Sequence, residues 1–156
     1  MNVIYNNRKP NEQAETTLDA KWVSFDDLLK QSDVLSVHCA LSEETKGVFN
    51  KAAFAKMKPT SIFVNTARGP VHHEEDLLDA LNAEILWGAG LDVTNPEPMK
   101  QDNPLLQMEN VAILPHIGSA TIEARNEMSR LAAVNIIEFY KGNEIPNIIN
   151  PEVIKQ

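Results

Sequence analysis

A single cysteine, Cys39, stands in 156 residues, which excludes an internal disulfide and fits a reducing compartment. Basic charge is scarce as well: 14 Lys+Arg face 22 Asp+Glu, a formal net charge of −8. That balance argues against DNA, RNA or an anionic membrane as the main partner, because each rewards clustered Lys and Arg. A small anionic ligand stays open, since one local Arg overrides net charge. No apolar run reaches the roughly 18–20 residues of a membrane span. The start, MNVIYNNRKP, lacks the basic-then-apolar layout of a secretory signal, so the expectation is a soluble, cytoplasmic protein. None of the glycines forms the phosphate-cradling G-x-G-x-x-G; Gly88-Ala89-Gly90 has no third glycine and lies inside an apolar run. Hydrophobic residues make up 43% and charged residues 23%. This is enough apolar surface for one domain that buries roughly 68–70% of its unfolded surface.

Along the chain, apolar runs alternate with helical patterns, the layout of parallel α/β folds. Strands are predicted over residues 2–5, 34–37, 62–64, 87–93 and 111–114. The segment after the first strand, NNRKPNEQ, reads as a polar turn. Ser24 caps a helix carrying Phe25, Leu28 and Leu29, with Asp26 and Asp27 in its first turn. Asn50 caps a short helix that Lys58-Pro59 stops. Residues 74–81 form a helix with acids at its start and Leu77, Leu78 and Leu81 on one face. Residues 120–140 form a long helix whose predicted buried set is Met128, Leu131, Val134, Ile137 and Phe139.

In an open parallel sheet, ligands sit beyond the carboxyl ends of the strands. Three consecutive strands here lead to Arg68, Glu97 and His116. Arg68 presents a planar fork suited to a carboxylate. His116 titrates near neutrality unaided and is the natural proton donor or acceptor. Glu97, placed to hydrogen-bond His116, would fix its tautomer and favour the imidazolium. Together they would anchor a small carboxylate, polarise a carbonyl and deliver a proton. The competing readings are a surface Arg, a solvated loop acid and a His that merely ends a strand. His72-His73-Glu74-Glu75 is not a metal site, because neighbouring residues on a helix point apart and ligand pairs need i, i+3 or i, i+4 spacing. No metal is expected. Cys39 reads as a buried or half-buried thiol. Asn7-Arg8-Lys9 follows the first strand, where Arg suits a ribose 2′-phosphate and an acid suits a free 2′-hydroxyl.

These residues resemble the D-isomer-specific 2-hydroxyacid dehydrogenases. The likeness runs over Ser32-Asp33-Val34-Leu35-Ser36-Val37-His38, Met57-Lys58-Pro59 and Phe63-Val64-Asn65-Thr66-Ala67-Arg68-Gly69. It continues through Ala89-Gly90-Leu91-Asp92-Val93, Glu97-Pro98 and Leu114-Pro115-His116-Ile117-Gly118-Ser119-Ala120-Thr121. Within the family it is nearest to the NADPH-preferring reductases of glyoxylate and hydroxypyruvate, on Tyr5-Asn6-Asn7-Arg8-Lys9-Pro10 and the segment from His116. The resemblance implies a Rossmann-type doubly wound parallel sheet and reduction of a small 2-oxoacid by NADPH, with NADH as the lesser alternative. Arg68 would hold the substrate, His116 protonate its carbonyl oxygen and Glu97 keep His116 charged. Asp92 would contact the nicotinamide carboxamide, and Asn7 and Arg8 would face the 2′-phosphate. His38, Thr66 and Gly118 complete the implied cofactor set. The complete enzyme would pair as a homodimer through its coenzyme domain.

The chain departs from the family in lacking the first Rossmann strand with its G-x-G-x-x-G, and the N-terminal part of the substrate domain. Residues 1–141 would then be a partial NAD(P)-binding domain, and residues 142–156 a tail returning to the substrate domain of the complete enzyme. The absent strand is central in the 3-2-1-4-5-6 order, so its loss opens a gap between strands 2 and 4 and leaves backbone groups unpaired there. The isolated chain is therefore expected to be inactive. The alternative reading is a non-catalytic interaction module or a remnant.

Overall fold

The computed structural model describes residues 1–154. In chain order the elements are β1 (Ile4–Tyr5), α1 (Glu12–Leu18), β2 (Lys21–Trp22), α2 (Phe25–Gln31), β3 (Val34–Val37) and α3 (Lys51–Phe54). They continue with β4 (Ile62–Asn65), α4 (Glu74–Asn82), β5 (Gly88–Leu91), β6 (Val111–Ile113) and α5 (Ile122–Lys141). The helix starts are chemically marked. Ser24 Oγ accepts from the Asp27 amide at 3.1 Å, and Asn50 Oδ1 accepts from the amides of Ala52 and Ala53 at 3.1 and 3.2 Å. Such caps satisfy amides that have no partner within the helix. Three acids, Glu74, Glu75 and Asp76, occupy the first turn of α4, where they complement the positive end of the helix dipole.

All strand pairs are parallel, and they fall into two sheets. One holds β1 and β2; the other holds β3, β4, β5 and β6 in that order. This is the α/β, Rossmann-type parallel architecture with its sheet divided. Among the described residues, β1 pairs only with β2, and β3 only with β4, so each offers an edge on which backbone donors and acceptors have no ladder partner. Val34, on the β3 edge, is 58% exposed. In the larger sheet the register runs Leu35, Phe63, Ala89, Val111 across the strands, and then Val37, Asn65, Leu91, Ile113. That second row is the carboxyl rim.

Phe63 on β4 lies at the middle of the core, fully buried. Its ring packs 5.2 Å from Phe49 and 5.3 Å, edge-on, from Phe54. Leu29 from α2, Leu77 from α4, Leu91 from β5 and Leu105 complete the enclosure. Helices α2, α3 and α4 thus cover one face of the sheet, that of Leu35, Val37, Phe63, Ala89 and Leu91, while Val34 and Ser36 on the other face of β3 are exposed. Gly88 takes the strand where Asn110 passes: a Cβ there would stand 2.7 Å from the Asn110 carbonyl oxygen.

Four sequence expectations need correction. The polar stretch after β1 does not stay a turn: α1 forms at Glu12, capped by Asn11, and β2 follows it. The strand predicted over residues 87–93 is confined to Gly88–Leu91, because Trp87 is 62% exposed outside the ladder. Cys39 is exposed, not buried, since it sits past the rim of β3. The apolar stripe of α5 is not buried either. Met128, Ile137 and Phe139 are exposed, Leu131 and Val134 only half-buried. This helix belongs to a second compact unit, Ile117–Gln156, distinct from the first, Met1–His116. Among the described residues of the second unit, α5 is accompanied by turns and a short 3-10 helix, Pro151–Val153, and one long helix cannot enclose its own stripe. Within it, Thr121 Oγ1 caps the helix start through the Ala124 amide at 3.1 Å, and Gly142 ends it at φ 70°.

Candidate functional site

Residues just beyond the last register row leave the sheet at one rim: His38 after β3, Thr66 after β4 and Asp92 after β5. His38 is exposed and its Nε2 lies 2.8 Å from Ser36 Oγ. Thr66 is exposed. Asp92 is buried, and its amide donates to the Asn65 carbonyl at 3.0 Å. Register alone therefore aligns these three on adjacent strands.

Arg68 is presented by a turn that Asn65 builds. Asn65 Oδ1 accepts from the Ala67 amide at 3.0 Å, and Asn65 Nδ2 donates to the Arg68 carbonyl at 3.0 Å. Such a side-chain turn holds the backbone where no ladder does. The Arg68 guanidinium is exposed and donates to the Ala67 carbonyl at 2.6 Å. Gly69 then passes against the loop after β5 so closely that a Cβ would lie 1.9 Å from the Thr94 carbonyl oxygen. Only glycine allows that approach, and it brings the Arg68 turn onto the loop that carries Glu97.

That second loop is tied down from α4. Glu74 accepts from the Asn95 amide at 3.2 Å and from Asn103 Nδ2 at 2.6 Å, while Thr94 Oγ1 donates to the Pro96 carbonyl at 2.9 Å. Glu97 Oε1 meets His116 Nδ1 at 2.6 Å, with both side chains about two-fifths exposed. The hydrogen bond to His116 holds the Glu97 carboxyl below the usual carboxylate range, aided by the nearby charges of His116 and Arg68. His116 itself has a left-handed backbone, φ 54°, which is uncommon for a residue with a side chain and clusters at functional sites. With Nδ1 engaged by Glu97, Nε2 is the ring nitrogen left for a substrate.

The structure thus gathers Arg68, Glu97 and His116 into one electrostatic neighbourhood. Asn7 and Arg8 lie elsewhere, after β1 in the small sheet. Asn7 Oδ1 accepts from the Arg8 amide at 2.8 Å, and the Asn7 carbonyl accepts from Trp22 Nε1 at 3.0 Å. With Lys9, Pro10, Asn11 and Glu12 they line an open hollow of about 660 Å³. Gly118 belongs to the second unit. For a dinucleotide, the residues present offer an exposed Arg beside a hollow, which donates to phosphate, and a buried Asp at the rim, whose carboxylate accepts from an amide. The glycine-rich pyrophosphate turn is not among the residues of this chain. Among the described residues, no group of three or more His, Cys, Asp or Glu side chains is placed to hold a metal ion, and no helix is long and apolar enough to cross a membrane. Sequence reasoning missed Asn65, Gly69, His72 and Glu74 as supports. An Asn closing a strand shortly before an Arg was the available signal for the first. Glu74 left none, because its partners lie 21 and 29 residues further along the chain.

Residues 1–118 match the model of the D-isomer specific 2-hydroxyacid dehydrogenase, NAD binding domain. The chain is 45% identical over 153 residues, 98% of its length and 47% of the relative's, to glyoxylate/hydroxypyruvate reductase B of Klebsiella pneumoniae. It is 44% identical over 144 residues, 92% of its length, to the glyoxylate reductase/hydroxypyruvate reductase of Homo sapiens, covering 44% of that protein. Among solved structures, a glyoxylate reductase from Paecilomyes thermophila aligns with a TM-score of 0.85 at 38% identity, over 97% of this chain and 46% of that one. The chain spans about half the length of the relatives it matches. With that family model matched over residues 1–118, the chain belongs to the D-isomer specific 2-hydroxyacid dehydrogenases.

Proposed function

We propose that this chain carries the catalytic groups and part of the cofactor site of an NADPH-dependent reductase that converts glyoxylate or hydroxypyruvate to the 2-hydroxy acid. The observation that supports it most is the 2.6 Å Glu97–His116 contact beside an Arg68 charge that also bears on Glu97. The Arg68 guanidinium binds the substrate carboxylate through paired N–H donors. His116 Nε2 donates a hydrogen bond to the carbonyl oxygen and releases its proton as that oxygen becomes a hydroxyl. Glu97 fixes the ring's orientation through Nδ1. When bound, a nicotinamide cofactor would supply the hydride to the carbonyl carbon, so that one hydride and one proton convert the aldehyde of glyoxylate or the ketone of hydroxypyruvate to the alcohol. Arg8 and Asn7 would recognise the 2′-phosphate of that cofactor and Asp92 its carboxamide, and His38, Thr66 and Gly118 are the other residues assigned to cofactor binding by the family resemblance. Without a glycine-rich turn of its own, the chain needs a polypeptide that supplies one, and alone it turns over no substrate.

The test is to refold the chain with the upstream half of the Klebsiella relative and follow NADPH oxidation by glyoxylate. Turnover that disappears in His116→Ala supports the reading; no turnover from a pair shown by circular dichroism to be folded counts against it. A second reading, a pairing module that docks on a full subunit of the homodimer, draws on the exposed Ile122, Ile136 and Phe139 of α5. Co-purification with a full-length relative at a fixed ratio would favour it.

A further inference from the structure

His72 and Asn65 are both withdrawn from solvent, at 1% and 0% exposure, and they touch: Asn65 Nδ2 lies 2.9 Å from His72 Nδ1. The direction of that hydrogen bond follows from its neighbours. The Ala67 amide only donates, so Asn65 must turn Oδ1 towards it. The Arg68 carbonyl only accepts, so Asn65 must turn Nδ2 towards it. Two backbone groups of opposite polarity thus fix the amide, and its second N–H is aimed at His72. His72 Nδ1 is therefore the acceptor, and the ring proton sits on Nε2. Burial keeps the ring neutral, with its pKa pushed down to about 4.

The ring has little freedom to leave this position. The His72 amide donates to the Gly69 carbonyl at 3.1 Å, and the flanking backbone is stitched to Phe49 on both sides. The Phe63 ring stands edge-on, 5.8 Å away. A rigid aromatic core thus reaches, through one imidazole and one amide, to the turn that presents Arg68. We propose that His72 is a positioning residue: as the Nε2–H tautomer it takes the second amide hydrogen of Asn65 and so fixes the turn that aims the Arg68 guanidinium. Its consequence for binding rests on the proposed role of Arg68 towards a carboxylate; its structural content does not.

The experiment uses the 156-residue chain labelled with ¹⁵N, with His72→Val and His72→Asn as variants and oxamate as the carboxylate probe. Long-range ¹H–¹⁵N spectra should show His72 as the Nε2–H tautomer at neutral pH. In His72→Val, which fills the apolar surround without an acceptor, exchange of the Ala67 amide should quicken about ten-fold and oxamate bind about ten-fold more weakly. His72→Asn, whose Oδ1 takes the place of Nδ1, should restore both. An Nδ1–H tautomer, a random-coil histidine spectrum, or unchanged Ala67 exchange in His72→Val would each overturn the proposal. If His72→Val does not fold, the wild-type tautomer and the His72→Asn exchange decide. A wild-type chain that ignores oxamate while the exchange pattern follows expectation would sink the role of Arg68 and leave the positioning intact.

Discussion

Two strand ends in this molecule carry an arginine on a short polar loop, and they are built differently. Beyond β4, the Arg68 turn rests on Asn65 and His72, both buried, and on a glycine pressed against the Thr94 carbonyl. Beyond β1, Arg8 sits on a loop joined to the rest by exposed bonds, from Trp22 Nε1 to the Asn7 carbonyl and from the Asn11 amide to the Tyr5 hydroxyl. The first strand lies inside a four-stranded sheet; the second pairs on one side in a sheet of two. A residue that must meet a reacting carbonyl needs fixed geometry, whereas one that meets a phosphate on a long cofactor tolerates latitude. Under the proposed roles of Arg68 and Arg8, the two loops would embody that contrast.

The widest separation between the two regions should appear in their cores. Phe63→Ala should cost about 3–5 kcal/mol in urea unfolding, the usual loss for a buried Phe; a loss below about 1 kcal/mol would mean the four-stranded sheet is not what carries stability.

Acid sharpens the contrast next, because only the β4 loop hides a histidine. The folded pKa of His72 is lowered to about 4 from the ordinary 6.5, by burial first and by the neighbouring His73 second. Its contribution is intact above about pH 6.5. It falls as the unfolded chain binds a proton that the folded one refuses, and the loss is complete near pH 4. Over that window about 3 kcal/mol should be lost. Urea midpoints between pH 7 and pH 4 check this, and His72→Val should flatten the profile.

Gly69→Ala places a methyl 1.9 Å from a backbone oxygen and should cost about 1–3 kcal/mol, as overpacking does. Wild-type stability would mean that the loops after β4 and β5 part easily. The smallest effect belongs to Arg8→Asp, where stability should stay within about 0.5 kcal/mol of wild type, as at most surface sites. In the complete enzyme the ratio of NADPH to NADH efficiency should nevertheless fall; an unchanged ratio would remove Arg8 from cofactor choice.

What could be read from the sequence follows the same division. α2 and α3 announce themselves through Ser24 and Asn50, and β4 through its apolar run, because caps and burial leave local marks. Arg68, Glu97 and His116 were legible as polar residues at strand ends, and Glu97 does hydrogen-bond His116. α1 has the cap, Asn11, but not the burial. Its residues, Glu12 to Leu18, bury nothing, so no stripe betrays the helix, and β2 is two residues long. The stripe of α5 was legible, but periodicity tells which face is apolar and not whether anything covers it. The pairing of Asn65 with His72 was out of reach, since a histidine in the polar run before a helix gives no sign of being swallowed by an aromatic core.

The left-handed backbone of His116 has a consequence for anyone evolving this protein. That position prefers glycine or asparagine on conformational grounds, at a cost to other residues of order 1 kcal/mol or more. A library selected for heat resistance alone should therefore drift towards His116→Asn or His116→Gly and lose the imidazole, trading chemistry for durability at a single codon.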